Sequence, residues 1–346
     1  MPYVVSYIIL TLTGLYKDFN ESERAKKYGL LVVWISLSLL FGLRGYANEM
    51  PDTLGYKWTY THSVFVSSIS AYLAESGMDF VYYGINWILA HLGISWQVYL
   101  MLFAMFTTGV VIKFMDTYSE MPFLSIMIFM CFMFPAWESA MRQGMAMSFL
   151  YLAYMAFDHG EKKRGYILFL LGLFSHLTVI FFVPFFFIRK IKISDLVILV
   201  YLALITIVYA FNMAFLSALN RVAALLGRNT YSQIWHERPT NFIIFVVLLL
   251  IFALIFYRKD YNSDPRVIEC IHAMFWSILL LAFGGGTNLR LVYYYAFFAC
   301  ILIPKIVKCF IPNQLAKVLV GAVFVWIFFS TVNMTYWFFW QDFSVG

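Results

Sequence analysis

The stretch NFIIFVVLLLIFALIFY, residues 241–257, carries no charged side chain and is closed at once by Arg258 and Lys259. A bilayer crossing takes about 20 apolar residues of helix, each advancing ~1.5 Å. This run approaches that length, and residues 317–332, KVLVGAVFVWIFFSTV, read the same way. Working outward, further apolar runs fall near 1–16, 28–43, 96–112, 123–135, 143–157, 166–175, 177–188, 195–218, 267–283 and 291–303. The whole chain is 63% hydrophobic and 12% charged, with a mean hydropathy of +0.80. Soluble domains are roughly half apolar and a quarter charged, so this chain lacks the polar surface to cover itself and lipid must be its solvent. The expected fold is all-α, a polytopic integral membrane protein with about 11–13 membrane segments. It forms a single transmembrane domain over 1–346 with outer loops at 44–80 and 219–239. Several runs are too short for a straight crossing and are expected to be tilted, broken or re-entrant. The stretch 80–93, aromatic but interrupted by polar groups, is placed at the membrane interface.

Charge gives the orientation. With the N-terminus outside, seventeen of the 24 basic residues fall on inner connections, which the positive-inside rule favours. Of the seven outer ones, six are arginine: Arg44, Arg142, Arg221, Arg228, Arg238 and Arg290. Orientation needs only positive charge, so a preference for the planar guanidinium points to phosphate or carboxylate partners. The basic residues are scattered between apolar runs rather than gathered in a soluble basic-aromatic stretch, which argues against nucleic acid. The first apolar stretch lacks a basic n-region and a small-residue cleavage site and is read as a span. The four cysteines lie in or beside apolar runs without metal-ligand spacing and read as small core residues. Segments 166–175 and 177–188 have basic flanks on both sides, Lys162 to Arg164 and Arg189 to Lys192. That pattern predicts a break near His176 rather than one straight span.

Four places can carry chemistry. Arg44 ends an apolar run and is followed by Asp52, Thr53 and Tyr56; the pair either closes a polar knot at the membrane surface, or Arg44 snorkels and Asp52 caps the next helix. Arg142 and Gln143 open a helix after Pro135 and Glu138, where free N–H groups and the macrodipole attract anions; a Glu138–Arg142 pair at i,i+4 is the plain structural alternative. His176, between Ser175 and Leu177, is an ionisable group in an apolar hairpin, equally readable as a locally satisfied structural histidine. Gly284 to Gly286 precede Arg290, Tyr293 and Tyr294, which offer close backbone approach, a guanidinium and sugar-stacking rings. Read as structure alone, they are a turn and an interfacial belt, and the glycines lack the Gly-Lys-Ser/Thr ending of a phosphate-binding loop. The 219–239 loop, with aromatic and charged residues, suits a carbohydrate lid or a solvated loop.

The order of these sites resembles the EpsG family of Wzy-like polysaccharide polymerases: Arg44 with Asp52-Thr53 and Tyr56, then Arg142-Gln143, then Ser175-His176, then Arg290 with Tyr293 and Tyr294. The family commonly carries an asparagine shortly before its Arg-Gln pair, where this chain has Trp137-Glu138-Ser139. The resemblance implies a membrane glycosyltransferase, similar in architecture to the GT-C type. It would move a growing glycan from undecaprenyl diphosphate to another lipid-linked repeat unit at the outer face of the cell membrane, for exopolysaccharide or capsule. The donor bond supplies the energy, so no cofactor or metal is called for. Implied partners are undecaprenyl-diphosphate-linked oligosaccharide and membrane lipid, with a flippase and a chain-length regulator alongside. Within that mechanism, Arg142 and Arg290 neutralise the leaving diphosphate, Arg44 organises the site, and His176 or Asp52 is the base. Competing readings are a flippase for lipid-linked oligosaccharide, an O-antigen-ligase-like transferase, and a membrane acyltransferase. The last lacks a second catalytic group near His176, and a flippase needs a polar path through the inner half.

Overall fold

A computed structural model describes residues 9–10, 13–14, 22–43, 51–74, 79–133, 137, 140–225, 240–259, 264–283 and 286–310. These residues contain α-helix and one 3-10 segment and no strand. Five helices are long and apolar enough to cross a membrane, Glu23–Gly42, Trp96–Tyr118, Phe242–Lys259, Pro265–Ala282 and Arg290–Lys308, with shorter apolar helices beside them. The protein is an all-α, multi-pass membrane protein. It divides into two compact units, residues 1–177 with 307–346, and residues 178–306.

In the first unit, α1 (Glu23–Gly42) is capped by Ser22, whose Oγ accepts from the Ala25 N–H, and α5 (Trp96–Tyr118) by Ser95 in the same way. The two helices pack closely because small residues sit at the crossing: a Cβ on Gly42 would meet the Met101 backbone at 2.9 Å. Trp34 donates from Nε1 to the Met105 carbonyl at 3.0 Å, and the Ser38 and Thr108 hydroxyls meet at 2.9 Å. Within the region 44–80, expected as an outer loop, two helices form among the described residues, α2 (Pro51–Ser63) and α3 (Ile69–Ala74). Proline at N1 and Asp52 in the first turn suit the start of α2. Its Thr53, Tyr60 and Ser63 are buried while Trp58 is exposed, so one face lies on the core.

The rest of this unit is α4 (Phe80–His91), α6 (Pro122–Phe132), α7 (Met141–Asp158) and α8 (Lys162–Ser175). Gly172 of α8 faces the Ala146 carbonyl of α7, where a Cβ would stand 3.1 Å away. Opposite ends of the unit differ in chemistry. At one end Lys26 pairs with Asp116 at 2.6 Å and Lys308 with Glu120 at 2.6 Å. At the other, Tyr60, Tyr82, Trp96, Tyr99 and Met141 form an aromatic-rich core.

The expected break is present: α8 ends at Ser175, and His176 is extended at φ −162°, ψ 118°. The second unit then begins with a 3-10 segment (Leu177–Phe182, from Thr178 onward) and α9 (Val183–Ile188). The apolar run 195–218 is interrupted at Phe211, giving α10 (Asp195–Ala210) and α11 (Asn212–Leu225). Helix α11 reaches into the 219–239 region expected as loop. Next come α12 (Thr240–Lys259), α13 (Pro265–Ala282), α14 (Gly286–Ala296) and α15 (Ala299–Phe310), the last two joined by a two-residue turn at Phe297 and Phe298 inside the 290–308 span. Helix α13 is the hub. Its Glu269 holds Arg189 at 3.0 Å and Arg266 at 2.7 Å. Its His272 donates from Nε2 to the Ile191 carbonyl at 2.8 Å, so Nδ1 accepts from the Tyr201 hydroxyl at 2.7 Å. Leu196, Leu199 and Leu202 of α10 are exposed, as a lipid-facing surface requires.

Candidate functional site

Arg142 is the second residue of α7, where the helix presents its positive end. The turn before it is tight. A Cβ on Gly144 would stand 2.9 Å from the Trp137 carbonyl oxygen, so glycine allows that backbone to lie against the first turn of α7. Met141 and Gln143 on either side are buried, and Gln143 reaches the Met147 sulfur at 3.9 Å. Arg142 itself leads outward, its side chain 33% exposed.

Its partner is Asp79, the residue before α4. Arg142 Nη1 donates to Asp79 Oδ2 at 2.9 Å, and the carboxylate is wholly buried. An aspartate at that position ordinarily caps its own helix; Asp79 makes no such side-chain bond. The same Oδ2 lies 3.5 Å from Nδ1 of His176, at the extended residue after α8. Below the guanidinium, the Tyr56 ring of α2 lies with its centroid 5.9 Å from Arg142 Cζ, within cation–π range. Phe80 and Phe174, with ring centroids 6.0 Å apart, hold the starts of α4 and the end of α8 together beside this cluster. An arginine, a histidine and a tyrosine from three elements thus converge around one buried acid supplied by a fourth.

This arrangement suits an anion and a proton transfer. A guanidinium has five N–H donors, so its bonds to Asp79 and to the Tyr56 hydroxyl leave capacity for phosphate oxygens while the carboxylate fixes its direction. When the His176 proton sits on Nδ1, facing Asp79, the basic lone pair is on Nε2.

A model of the EpsG family matches residues 27–344 of the 346. The chain belongs to the EpsG family. Membership supports a polysaccharide-polymerase-like role, and no curated protein and no solved structure matches the chain.

Among the residues expected from the EpsG-like motif order, the structure brings together Arg142, His176 and Tyr56. Asp52 lies one turn before Tyr56 on α2 and therefore on the same face. Gln143 is adjacent in sequence but buried on the inner side of α7. Arg44 and Glu138 lie outside the described residues, as do Arg228, Arg238, Gly284 and Gly285. Arg290, Tyr293 and Tyr294 belong to α14 in the second unit. There Arg290 is exposed, Tyr293 packs edge-on to Phe242 at 6.4 Å, and Tyr294 is buried with its hydroxyl 2.9 Å from Thr178 Oγ1. Tyr295 of the same helix donates to the Phe181 carbonyl. The member of this cluster that sequence reasoning missed is Asp79. It stood directly before the aromatic stretch 80–93, and an acid entering an apolar helix with no basic neighbour in sequence was the signal that could have found it.

Proposed function

We propose that this protein is a Wzy-like polymerase that extends polysaccharide on a lipid carrier at the outer face of the cell membrane, for exopolysaccharide or capsule. The observation that carries this reading is the Arg142–Asp79–His176 arrangement in a chain of the EpsG family. Arg142, at the positive end of α7, holds the diphosphate of an undecaprenyl-diphosphate-linked glycan, with Gln143 behind it. Asp79 fixes the direction of Arg142 and of His176. The acceptor is a hydroxyl of a second lipid-linked repeat unit. Its oxygen attacks the anomeric carbon of the donor sugar, its proton passes to His176, and the carbon–oxygen bond to the diphosphate breaks to release undecaprenyl diphosphate. His176 is preferred to Asp52 as base because it stands beside the buried carboxylate that would orient it. Arg290, exposed on α14 with Tyr293 and Tyr294, is the second cation for lipid-linked substrate, and Arg44 organises the outer region. No metal takes part in this scheme.

The purified protein given lipid-linked repeat units, without divalent cations, is expected to produce a ladder of longer glycans. Release of single glycans onto a different lipid, without a ladder, would favour a ligase; transbilayer movement without bond formation would favour a flippase. The outward orientation is tested by cysteines placed at Lys162 and Arg221, both exposed. An impermeant reagent should label 221 and not 162 in intact cells; the reverse overturns the topology.

A further inference from the structure

Helix α8 opens on three consecutive cations, Lys162, Lys163 and Arg164, all exposed. Cations in a first turn oppose the helix dipole, which favours acids there, and Glu161 before them makes no capping side-chain bond that would offset the cost. The acids nearest in sequence are engaged. Glu161 pairs with Arg164 at 2.9 Å, and Asp158 accepts from the Tyr118 hydroxyl at 3.3 Å. Lys162 and Lys163 pair with no acid among the described residues. A positive connection orients a membrane chain wherever along it the charge falls; here it falls on the least favourable turn of a helix.

The same three cations line an open concavity of about 510 Å³, together with Glu161, Ile167 and Leu168. Close packing backs this turn: a Cβ on Gly165 would stand 2.5 Å from the Phe157 ring of α7. Tyr166 packs edge-on to that ring at 5.1 Å and is 62% exposed, the place of a tyrosine at headgroup level. One turn further, Ile167 and Leu170 are exposed, as a surface against acyl chains is. Cations, an aromatic and then aliphatic side chains, in that order along two turns of one helix, match a phospholipid read from headgroup to chain. A free phosphate would need no apolar wall.

We infer that Lys162 and Lys163, with Arg164 beside them, hold the headgroup phosphate of an anionic phospholipid whose acyl chain lies along Ile167 and Leu168. The site is separate from the Arg142 cluster, since α8 runs ~21 Å from Lys162 to Ser175, the residue before His176. The lipid supplies the negative charge that the first turn of α8 lacks and ties that end of the helix to one leaflet.

The test uses the full-length protein in nanodiscs of phosphatidylcholine alone or of equal parts phosphatidylcholine and phosphatidylglycerol. Lipid retained on the released protein, by native mass spectrometry, and unfolding temperature in each disc are the readouts. Wild type should retain phosphatidylglycerol in preference and unfold at a higher temperature in the mixed disc. Lys162→Gln/Lys163→Gln should lose roughly tenfold of that preference, and the thermal gain with it. In phosphatidylcholine alone it should unfold at the same temperature as wild type or higher, because it removes charge opposed to the dipole. Lys190→Gln/Lys192→Gln, which removes two exposed cations elsewhere, should keep both the preference and the gain. Inorganic phosphate added at constant ionic strength should not reproduce the gain. Wild type without a preference overturns the site, and so does a Lys162/Lys163 variant that keeps it. A lowered unfolding temperature of that variant in phosphatidylcholine would make the lysines structural. An equal loss in the Lys190/Lys192 variant would reduce the effect to overall charge, and equal stabilisation by inorganic phosphate would make the ligand a free anion; each of these also overturns the site.

Discussion

Asp79 stands where a residue would cap α4, yet its carboxylate accepts instead from Arg142 at 2.9 Å, on a helix 63 residues further along the chain. A buried acid that leaves its own helix end to hold a distant, part-exposed guanidinium acts as a positioning group. Asp79→Asn keeps the shape and removes the charge. Because it strands a partly buried arginine, it is expected to cost about 1.5–3 kcal/mol of stability and to lower polymer yield by roughly ten- to a hundredfold. Thermal unfolding and glycan length read the two effects; unchanged values for both would deny the pair any role.

His176 and Arg142 share that carboxylate oxygen, and the proposed mechanism gives them different tasks, so their variants should separate kinetically. His176→Gln retains a polar group and loses the base. It is expected to reduce the rate at saturating lipid by about 10²–10⁴-fold, the usual range for general-base loss, with little change in apparent lipid affinity. An equal rise in the lipid concentration needed, at unchanged maximal rate, would make His176 a binding group instead.

The helical membrane fold was legible in the composition and the apolar runs because lipid allows few other solutions. The break at His176 was legible from the basic residues on both flanks. Arg142 was legible from its place at a helix start, and its acidic partner was not: Asp79 is joined to it only by tertiary packing of α4 against α8 and α7, which leaves no spacing to read. The helices within the region expected as loop 44–80 were missed for a related reason. The α2 sequence PDTLGYKWTYTHS is polar enough to pass for loop, and its helical state depends on the aromatic core beneath Tyr60. The turn at Phe297 and Phe298 falls among aromatic and apolar residues with no proline or glycine to announce it, and the interruption at Phe211 is marked only by Asn212, which opens the next helix.

Gly144 should tolerate no side chain. A Cβ there would stand 2.9 Å from a backbone oxygen that cannot rotate away, so Gly144→Ala must shift the first turn of α7 and Arg142 with it. The expected cost is about 1–3 kcal/mol, with a loss of polymer yield larger than stability explains. An alanine variant with wild-type unfolding and yield would show that the turn is looser than drawn.

On the second unit, acid should loosen the ion pair that ties the start of α13, at Asp264, to Lys305 of α15. Burial pushes the Asp264 carboxyl up, but the Lys305 ammonium and the N–H groups of Arg266 and Val267 outweigh it and hold the group below the usual carboxylate range. A carboxyl whose pKa is lower folded than unfolded binds more protons when unfolded, so its contribution is full above the unfolded pKa and fades as pH falls through the folded one. For aspartate that window lies below about pH 4. Unfolding temperature across pH 3–7 should fall at the acid end in wild type and fall less in Asp264→Asn. Parallel curves for the two proteins would remove Asp264 from the acid response.

The central claim is that Arg142 binds lipid diphosphate through the planar fork of its guanidinium, and the measurement that bears on it most directly is polymer formation by purified Arg142→Lys protein. Lysine keeps the charge and α7 but loses bidentate contact. The account predicts that the variant inserts and unfolds like wild type while its rate falls roughly ten- to a hundredfold. Arg290→Lys, assayed alongside, tests the second cation independently. Polymer of wild-type length and yield from Arg142→Lys would contradict the account.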